Sequence, residues 1–254
     1  MKPLNYNAVI KSLLFIFILG VYSLKSQSTA SFKTTQLKIS RVKKAYDSKW
    51  PLLEKELRAK KIDPATFDVF IRVFKSEAEL EVWVKNKNDA SFILLKKIAV
   101  CATSGSLGPK RREGDGQVPE GIYEVSMFNP LNDYHLALKV SYPNASDRIL
   151  AKGPTGGDIM IHGNCVTIGC IPLQNEPVED VFILCMEARN RKSPIRVEIY
   201  PCKFTETNLK ILKEKASEEK NNFWNNIKPA YDYFETNKSP VKFTVDKKGQ
   251  YIYN

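Results

Sequence analysis

Histidine is almost missing from this chain: 254 residues contain two, so any chemistry that needs an imidazole must be built at one of two places. Also missing is an apolar run of the roughly 20 residues that a membrane crossing takes. The run Ser12–Leu24, SLLFIFILGVYSL, spans only 13 residues, follows Lys2 and Lys11, and gives way to the small and polar KSQSTA. That order predicts a secretory signal over residues 1–27, with an uncleaved N-terminal anchor as the alternative and the only membrane contact expected. No cysteine follows the run closely, which excludes a lipid-modified cysteine at its end. No basic stretch is interleaved with aromatics, so nucleic acid is not the expected partner despite a formal charge of +11. Without Lys2, Lys11 and Lys25 the charge is still +8. For an exported protein this leaves membrane surfaces and cell-wall polymers as anionic partners. There is no internal repeat.

The five cysteines, Cys101, Cys165, Cys170, Cys185 and Cys202, match no small disulfide scaffold, and their odd number leaves at least one thiol free or paired outside the chain. Cys101 in KIAVCAT and Cys185 in VFILCMEA read as small buried hydrophobes. Disulfides among Cys101, Cys165, Cys185 and Cys202 stay open. Cys170 is the one with neighbours that point to reactivity.

From Ile39, apolar residues recur every three or four positions through Val42, Tyr46, Trp50, Leu53 and Leu57, the stripe of an amphipathic helix. Pro51 lacks an N–H and is expected to split it in two. After Pro64, FDVFIRVFKSEAELEVWVKN alternates around a short turn as a β-hairpin does, and FILLKKIAVCAT is a third strand. Five glycines and two prolines in the 22 residues SGSLGPKRREGDGQVPEGIYEV predict a long structured loop before the next strand. YHLALKVSYPN and IMIH are further strands, EPVEDVFILCMEARNR is a helix with acids first and bases last, and SPIRVEIYPCKF returns to strand. Beyond Thr205 the pattern is helical, interrupted at Pro229, then a hairpin turning at DKKG. The fold class is therefore α+β, mainly β, and not a βαβ array. The expected divisions are a basic helical segment over 28–65, a core domain over 66–204 and an extension over 205–254. Trp83, Trp224 and the tyrosines are expected to serve packing.

The stretch IMIHGNCVTIGCIPL, Ile159–Leu173, carries the candidate chemistry. A thiol with its ordinary pKa near 8.5 is mostly protonated at neutral pH, so a nucleophilic cysteine needs a base. His162, eight residues before Cys170, can take that proton and return it to a leaving amine. No acid adjoins the pair, so a backbone carbonyl such as that of Gly163 is left to orient the imidazole. Gly169 allows a sharp turn, letting the Cys170 N–H face a developing oxyanion. The same spacing also suits an inert strand–loop motif. Zinc would draw on His162, Cys165 and Cys170, but the spacing fits no finger or ribbon and no fourth ligand is near. No metal or cofactor is expected.

Three motifs in order, VPEGIYEV (Val118–Val125), IMIHG (Ile159–Gly163) and TIGCIPL (Thr167–Leu173), make the region from about Phe67 to Tyr200 resemble the catalytic domain of L,D-transpeptidases, the YkuD-like cysteine enzymes of bacterial cell walls. The resemblance implies a curved β-sandwich with flanking helices, an exported protein of the periplasm or cell envelope, and peptidoglycan stem peptides as substrate. It further implies Cys170 as nucleophile, His162 as base and acid, and Gly163 as the orienting carbonyl. The thiolate would attack the carbonyl on the L-centre of a diaminopimelate-type residue, release D-alanine, and pass the acyl group to an amine of another stem peptide or of a protein to be attached to the wall. Resolution by water would instead make an endopeptidase or amidase that opens cross-links or releases an anchored protein. Thr167 stands at the serine of the family signature, with Gly169 and Cys170 at its last two positions. Ile168 replaces the signature histidine and Pro172 an arginine, departures similar to a YafK-like subgroup. The lost arginine removes a carboxylate clamp, for which Lys110, Arg111 or Arg148 are candidate substitutes. Gly169, Thr167, Arg148 and Lys110 are the expected substrate-binding residues.

Overall fold

The N-terminal stripe lies on one helix, α2 (Ser40–Ala59), preceded by the short helix α1 (Phe32–Gln36), in a computed structural model that describes residues 30–254. The expected export segment, residues 1–27, lies outside the described residues. Contrary to expectation, α2 runs through Pro51. An interior proline costs about 3 kcal/mol or more. Leu53 and Leu57 just beyond it are both buried, offsetting about 1.5–3 kcal/mol each. Packing therefore overrides the local break.

The predicted hairpin is β1 (Phe67–Phe74) with β2 (Glu79–Asn86), antiparallel in unbroken register from Phe67↔Asn86 to Phe74↔Glu79. After β3 (Ile93–Ala99), an irregular stretch over 100–120 leads into the long strand β4 (Gly121–Asn132). Next come β5 (His135–Val140), the short helix α3 (Ala145–Ile149), β6 (Met160–His162) and β7 (Ile171–Pro172). Helix α4 (Asn175–Asn190) and strand β8 (Arg196–Tyr200) complete the expected core. The extension holds α5 (Glu206–Lys215), α6 (Glu218–Asn237) and the hairpin β9 (Phe243–Val245) with β10 (Tyr251–Tyr253). Helix α6 continues through Pro229, another correction, with Ile227, Ala230, Tyr231 and Phe234 buried around the proline.

Among the described residues, eight strands form one mixed sheet in the order β3-β2-β1-β8-β4-β5-β6-β7. The pairs β1–β8 and β6–β7 are parallel and the rest antiparallel. The first four residues of β4 pair with β8 and its remainder with β5, so one strand carries the sheet around a bend. Helix α4 is apolar nearly all round, with Val178, Phe182, Leu184 and Met186 fully buried, because it packs between the sheet and α1–α2. The opposite face of β1 and β8 is covered by α6, where Phe74, Tyr200, Trp224, Ile227 and Tyr231 share a second core. The result is the expected α+β, mainly β class, with the 31–254 unit curled around its helices. No described helix is long and apolar enough to cross a membrane.

Candidate active site

Strands β6 and β7 are short, yet they fix the relation between imidazole and thiol. Their parallel register pairs Ile161 with Ile171 and His162 with Pro172. Continued back by one residue, it sets Cys170 opposite Met160. Directly paired residues share a face and successive residues alternate. Ile161 and Ile171 therefore enter the core, where both are buried, while His162 and Cys170 project together from the other face. Two positions apart on neighbouring strands, their Cα atoms are roughly 8 Å from one another, a gap that an imidazole and a thiol can close between them.

His162 is 2% exposed, and its Nδ1 lies 2.6 Å from the carbonyl oxygen of its neighbour Gly163. A carbonyl only accepts, so Nδ1 carries the proton and the Nε2 lone pair is left to act as a base. Burial holds the imidazole pKa below its ordinary value, favouring this neutral form. Cys170 is a free, half-buried thiol. Burial pushes its pKa up, against the opposing pull of the Met160 N–H and the Lys110 charge. The resting thiol donates to the Asp158 carbonyl at 3.6 Å. Both shifts favour a resting pair of neutral thiol and neutral imidazole. Proton transfer must accompany attack, and apo sites commonly tighten their hydrogen bonds only with substrate present.

The turn before Cys170 is braced from within and from without. Gly169 has φ +140°, and a Cβ there would sit 3.0 Å from the Gln117 carbonyl, so the position needs glycine both for its conformation and for the close approach of the 100–120 loop. The Thr167 hydroxyl accepts from Gly169 N–H at 3.0 Å and donates to the Cys170 carbonyl at 2.8 Å, holding the turn and not facing outward. Ile168, at the signature-histidine position, is 88% exposed. Cys101 is not the inert hydrophobe expected: it is disulfide-bonded to Cys165, tethering the 163–169 loop to the end of β3, and its N–H donates to the Pro172 carbonyl. This bridge also commits one of the three sulfur and nitrogen groups that a zinc site would have used. Cys185 and Cys202 are buried free thiols. An apolar cavity of about 20 Å³ beside Cys170 is lined by Val100, Ala102, Val118 and Ile171. A roomier cavity of about 320 Å³, between Ile122, Asn144, Arg196 and Phe243, shares no lining residue with it.

Of the proposed anion clamps, Lys110 comes nearest. It is buried, its Nζ donates to Asp115 Oδ1 at 2.5 Å and to the Arg112 carbonyl, and its charge is felt at Cys170. Glu120 holds this loop in place, accepting from Gly108 N–H at 2.7 Å, Lys75 Nζ at 2.9 Å and the Trp224 indole at 2.7 Å. Arg111 turns instead toward Asp147, Nη1 to Oδ1 3.5 Å, close enough to attract but misdirected for a hydrogen bond. Arg148 is exposed on α3 and donates to the Pro143 carbonyl, with no contact to the pair. Sequence reasoning missed the Cys101–Cys165 bridge, whose separation of 64 residues carries no signal, and Tyr134, whose ring lies tilted against His162 with centroids 5.0 Å apart. In the sequence Tyr134 is only the first residue of the predicted strand YHLALKVSYPN, where the aromatic carries no mark of a role beside the imidazole.

Comparison with known proteins bears on the whole of this region. Residues 68–199 match the model of the L,D-transpeptidase catalytic domain, YkuD. The chain is 38% identical over 187 residues to YafK of Escherichia coli strain K12, a protein named as an L,D-transpeptidase whose activity stands as a proposal. The alignment covers 72% of this chain and 73% of that protein. YafK of Escherichia coli O157:H7 matches equally. Among solved structures, the helical cell shape determining protein Pgp2 from Campylobacter jejuni aligns at 21% identity with a TM-score of 0.44, over 72% of this chain and 74% of that one. The family model spans both strands that carry His162 and Cys170, and the motifs found in the sequence fall inside it. On the strength of those sequence matches, the chain belongs to the YkuD family of L,D-transpeptidase catalytic domains.

Proposed function

We propose that this protein is an exported cysteine acyltransferase that acts on peptidoglycan stem peptides through a thioester on Cys170. The observation carrying the reading is a free thiol on the same face as an imidazole whose Nδ1 is locked on the Gly163 carbonyl. Substrate closure brings His162 Nε2 to the thiol. The imidazole takes the Sγ proton as sulfur attacks the carbonyl on the L-centre of a diaminopimelate-type residue. The Cys170 N–H, beyond the Gly169 turn, stabilises the developing oxyanion. Collapse breaks the amide bond, and His162 hands its proton to the departing D-alanine amine. An acceptor amine then attacks the thioester, giving up its proton to His162 and restoring the thiol. The acceptor is a second stem peptide, which yields an L,D-cross-link, or a protein amine, which yields a wall attachment. Lys110 supplies positive charge beside the acyl site in place of the arginine that Pro172 displaces. Thr167 serves by holding the turn.

Intact-protein mass spectrometry after exposure to a carbapenem tests the nucleophile: the wild type gains one adduct, mapped to Cys170, and Cys170→Ala gains none. Incubation with isolated sacculi followed by muropeptide analysis tests the outcome. New L,D-linked dimers or a protein adduct support transfer. Shorter species alone assign the protein to hydrolysis of the same bonds, and no change in either product with the thiol intact overturns the enzymatic reading.

A further inference from the structure

The helix α2 lies outside the family-matched residues 68–199, yet one of its side chains reaches the turn that covers the imidazole. The Arg41 guanidinium, through Nη1, donates to the carbonyls of Asn132 at 2.9 Å, His135 at 3.0 Å and Pro130 at 3.4 Å. These three carbonyls close the turn between β4 and β5. The turn has no regular ladder to stabilise it: the register shifts between Asn129 and Asn132, and His135 sits at φ +72°. A non-glycine residue in that region persists only where its surroundings enforce it. Enforcement comes from two helices, from Arg41 on the backbone side and from Glu179 of α4, whose Oε1 lies 2.8 Å from His135 Nε2.

The turn so held delivers two things to His162. The Tyr134 ring lies against the imidazole, tilted at 33° with centroids 5.0 Å apart, while staying 44% exposed itself. The backbone of the same turn packs directly on Gly163: a Cβ added there would come within 2.9 Å of the Tyr134 carbonyl oxygen and 2.9 Å of His135 Cβ. The Gly163 N–H also donates to the Leu136 carbonyl at 3.2 Å. Gly163 is the residue whose carbonyl fixes Nδ1, so its placement sets where the Nε2 lone pair points.

We infer that the N-terminal helix is a working part of the site, with Arg41 as a positioning residue that acts through the β4–β5 turn, Tyr134 and Gly163 to aim the imidazole of His162. The inference rests on the proposed role of His162 as base. Arg41 touches neither thiol nor substrate. Its effect is to hold a loop in register at a distance where a displacement of an ångström can cost up to a hundredfold in rate. Lysine reproduces it only in part, because its ammonium is more strongly hydrated than a guanidinium and ends a flexible stem of different reach from the one that sets Nη1 among the three carbonyls.

The test uses the full mature chain and reads two quantities. The first is the rate of Cys170 acylation by a carbapenem. The second is the imidazole signal of His162 in ¹H–¹⁵N spectra, simple to assign in a chain with two histidines. Arg41→Met is expected to slow acylation by about ten- to a hundredfold, and to move the His162 resonances as the Tyr134 ring current and the fixed Nδ1–H tautomer are lost. Arg41→Lys is expected to recover part of both. Tyr134→Phe keeps the ring and both readouts, while Tyr134→Ala loses them. Unmoved His162 resonances in Arg41→Met overturn the inference, whether the rate is unchanged or falls along with thermal stability. A wild type that never acylates sinks the proposed function instead, and the spectra still decide whether Arg41 sets the imidazole.

Discussion

The β1–β2 hairpin and the β6–β7 edge belong to one sheet but are stabilised by opposite means. Strands β1 and β2 pair eight residues against eight without a shift, and β1 is buried on both faces. Val69, Ile71 and Val73 join the core shared with α4, while Phe70 and Phe74 meet the extension from the other side. At the other end β6 has three residues and β7 two, and the loop joining them carries positive φ at Asn164 and Gly169. Where the ladder is this short, tethers appear instead: the Thr167 hydroxyl across the turn, Asn175 Oδ1 on Asn164 N–H at 3.0 Å, the Cys101–Cys165 bridge and, one step away, Arg41. Regular structure supplies stability at one end. At the other, irregular backbone is held by side chains from distant elements, which fixes a half-buried thiol and a buried imidazole in place.

That division can be broken from the stable end first. Phe234 on α6 is fully buried, with ring centroids 4.7 Å from Phe70 and 4.9 Å from Trp83, and the Arg72 guanidinium lies 4.6 Å from its ring. Phe234→Ala is expected to cost about 3–5 kcal/mol by urea denaturation. The protein that stays folded should acylate at the wild-type rate. A slowed acylation well below the unfolding midpoint would mean that the two ends are not mechanically separate.

The bridge should give the mixed result that its position dictates. It closes a loop with a sequence separation of 64, for which the chain-entropy argument allows about 4 kcal/mol. The double variant Cys101→Ser, Cys165→Ser is expected to lose about 2–4 kcal/mol of stability and, unlike Phe234→Ala, to acylate more slowly even when folded. A variant that is destabilised but acylates normally would reduce the bridge to a staple with no hold on the Cys170 turn.

The same division governs what was legible in the sequence. The hairpin, the buried α4 and the His162–Cys170 spacing are local patterns with a period or a motif, and each could be read directly. Pro51 and Pro229 were misread because a local rule was applied where Leu53, Leu57, Tyr231 and Phe234 supply burial from elsewhere in the fold. The partners that brace the site were illegible for the same reason. Cys101 to Cys165, Arg41 to Asn132 and Trp224 to Glu120 join residues 64, 91 and 104 positions apart, and nothing in one chain's sequence marks such a pair. Lys110 was found only because a missing arginine implied a missing charge. The burial that raises the pKa of Cys170 has no signature in its sequence neighbours.

Asp147 sits where the two regions meet, and it offers the smallest and most specific test. Its Oδ2 accepts from the Tyr123 hydroxyl of β4 at 2.9 Å and from Asn144 N–H, while Oδ1 faces Arg111 from the loop that carries Lys110. The side chain is almost wholly buried, and desolvation pushes its pKa up to about 6 from an ordinary 3.8, against the pull of the Asn144 and Tyr123 hydrogen bonds and of Arg111. Between those two values the folded protein keeps a proton that the unfolded chain releases, so stability falls as pH rises through the window. The contribution is complete below the ordinary carboxyl pKa and gone above about 6, a swing of about 3 kcal/mol. Asp147→Asn keeps the shape and removes the titration. Measured by urea denaturation at steps from pH 4 to pH 7, the variant should gain on the wild type by about that amount as pH rises. Parallel curves would mean that water or Arg111 already compensates the carboxylate. In that case the junction would tolerate a charge as a solvated surface does, and the contrast between the two regions would end before Asp147.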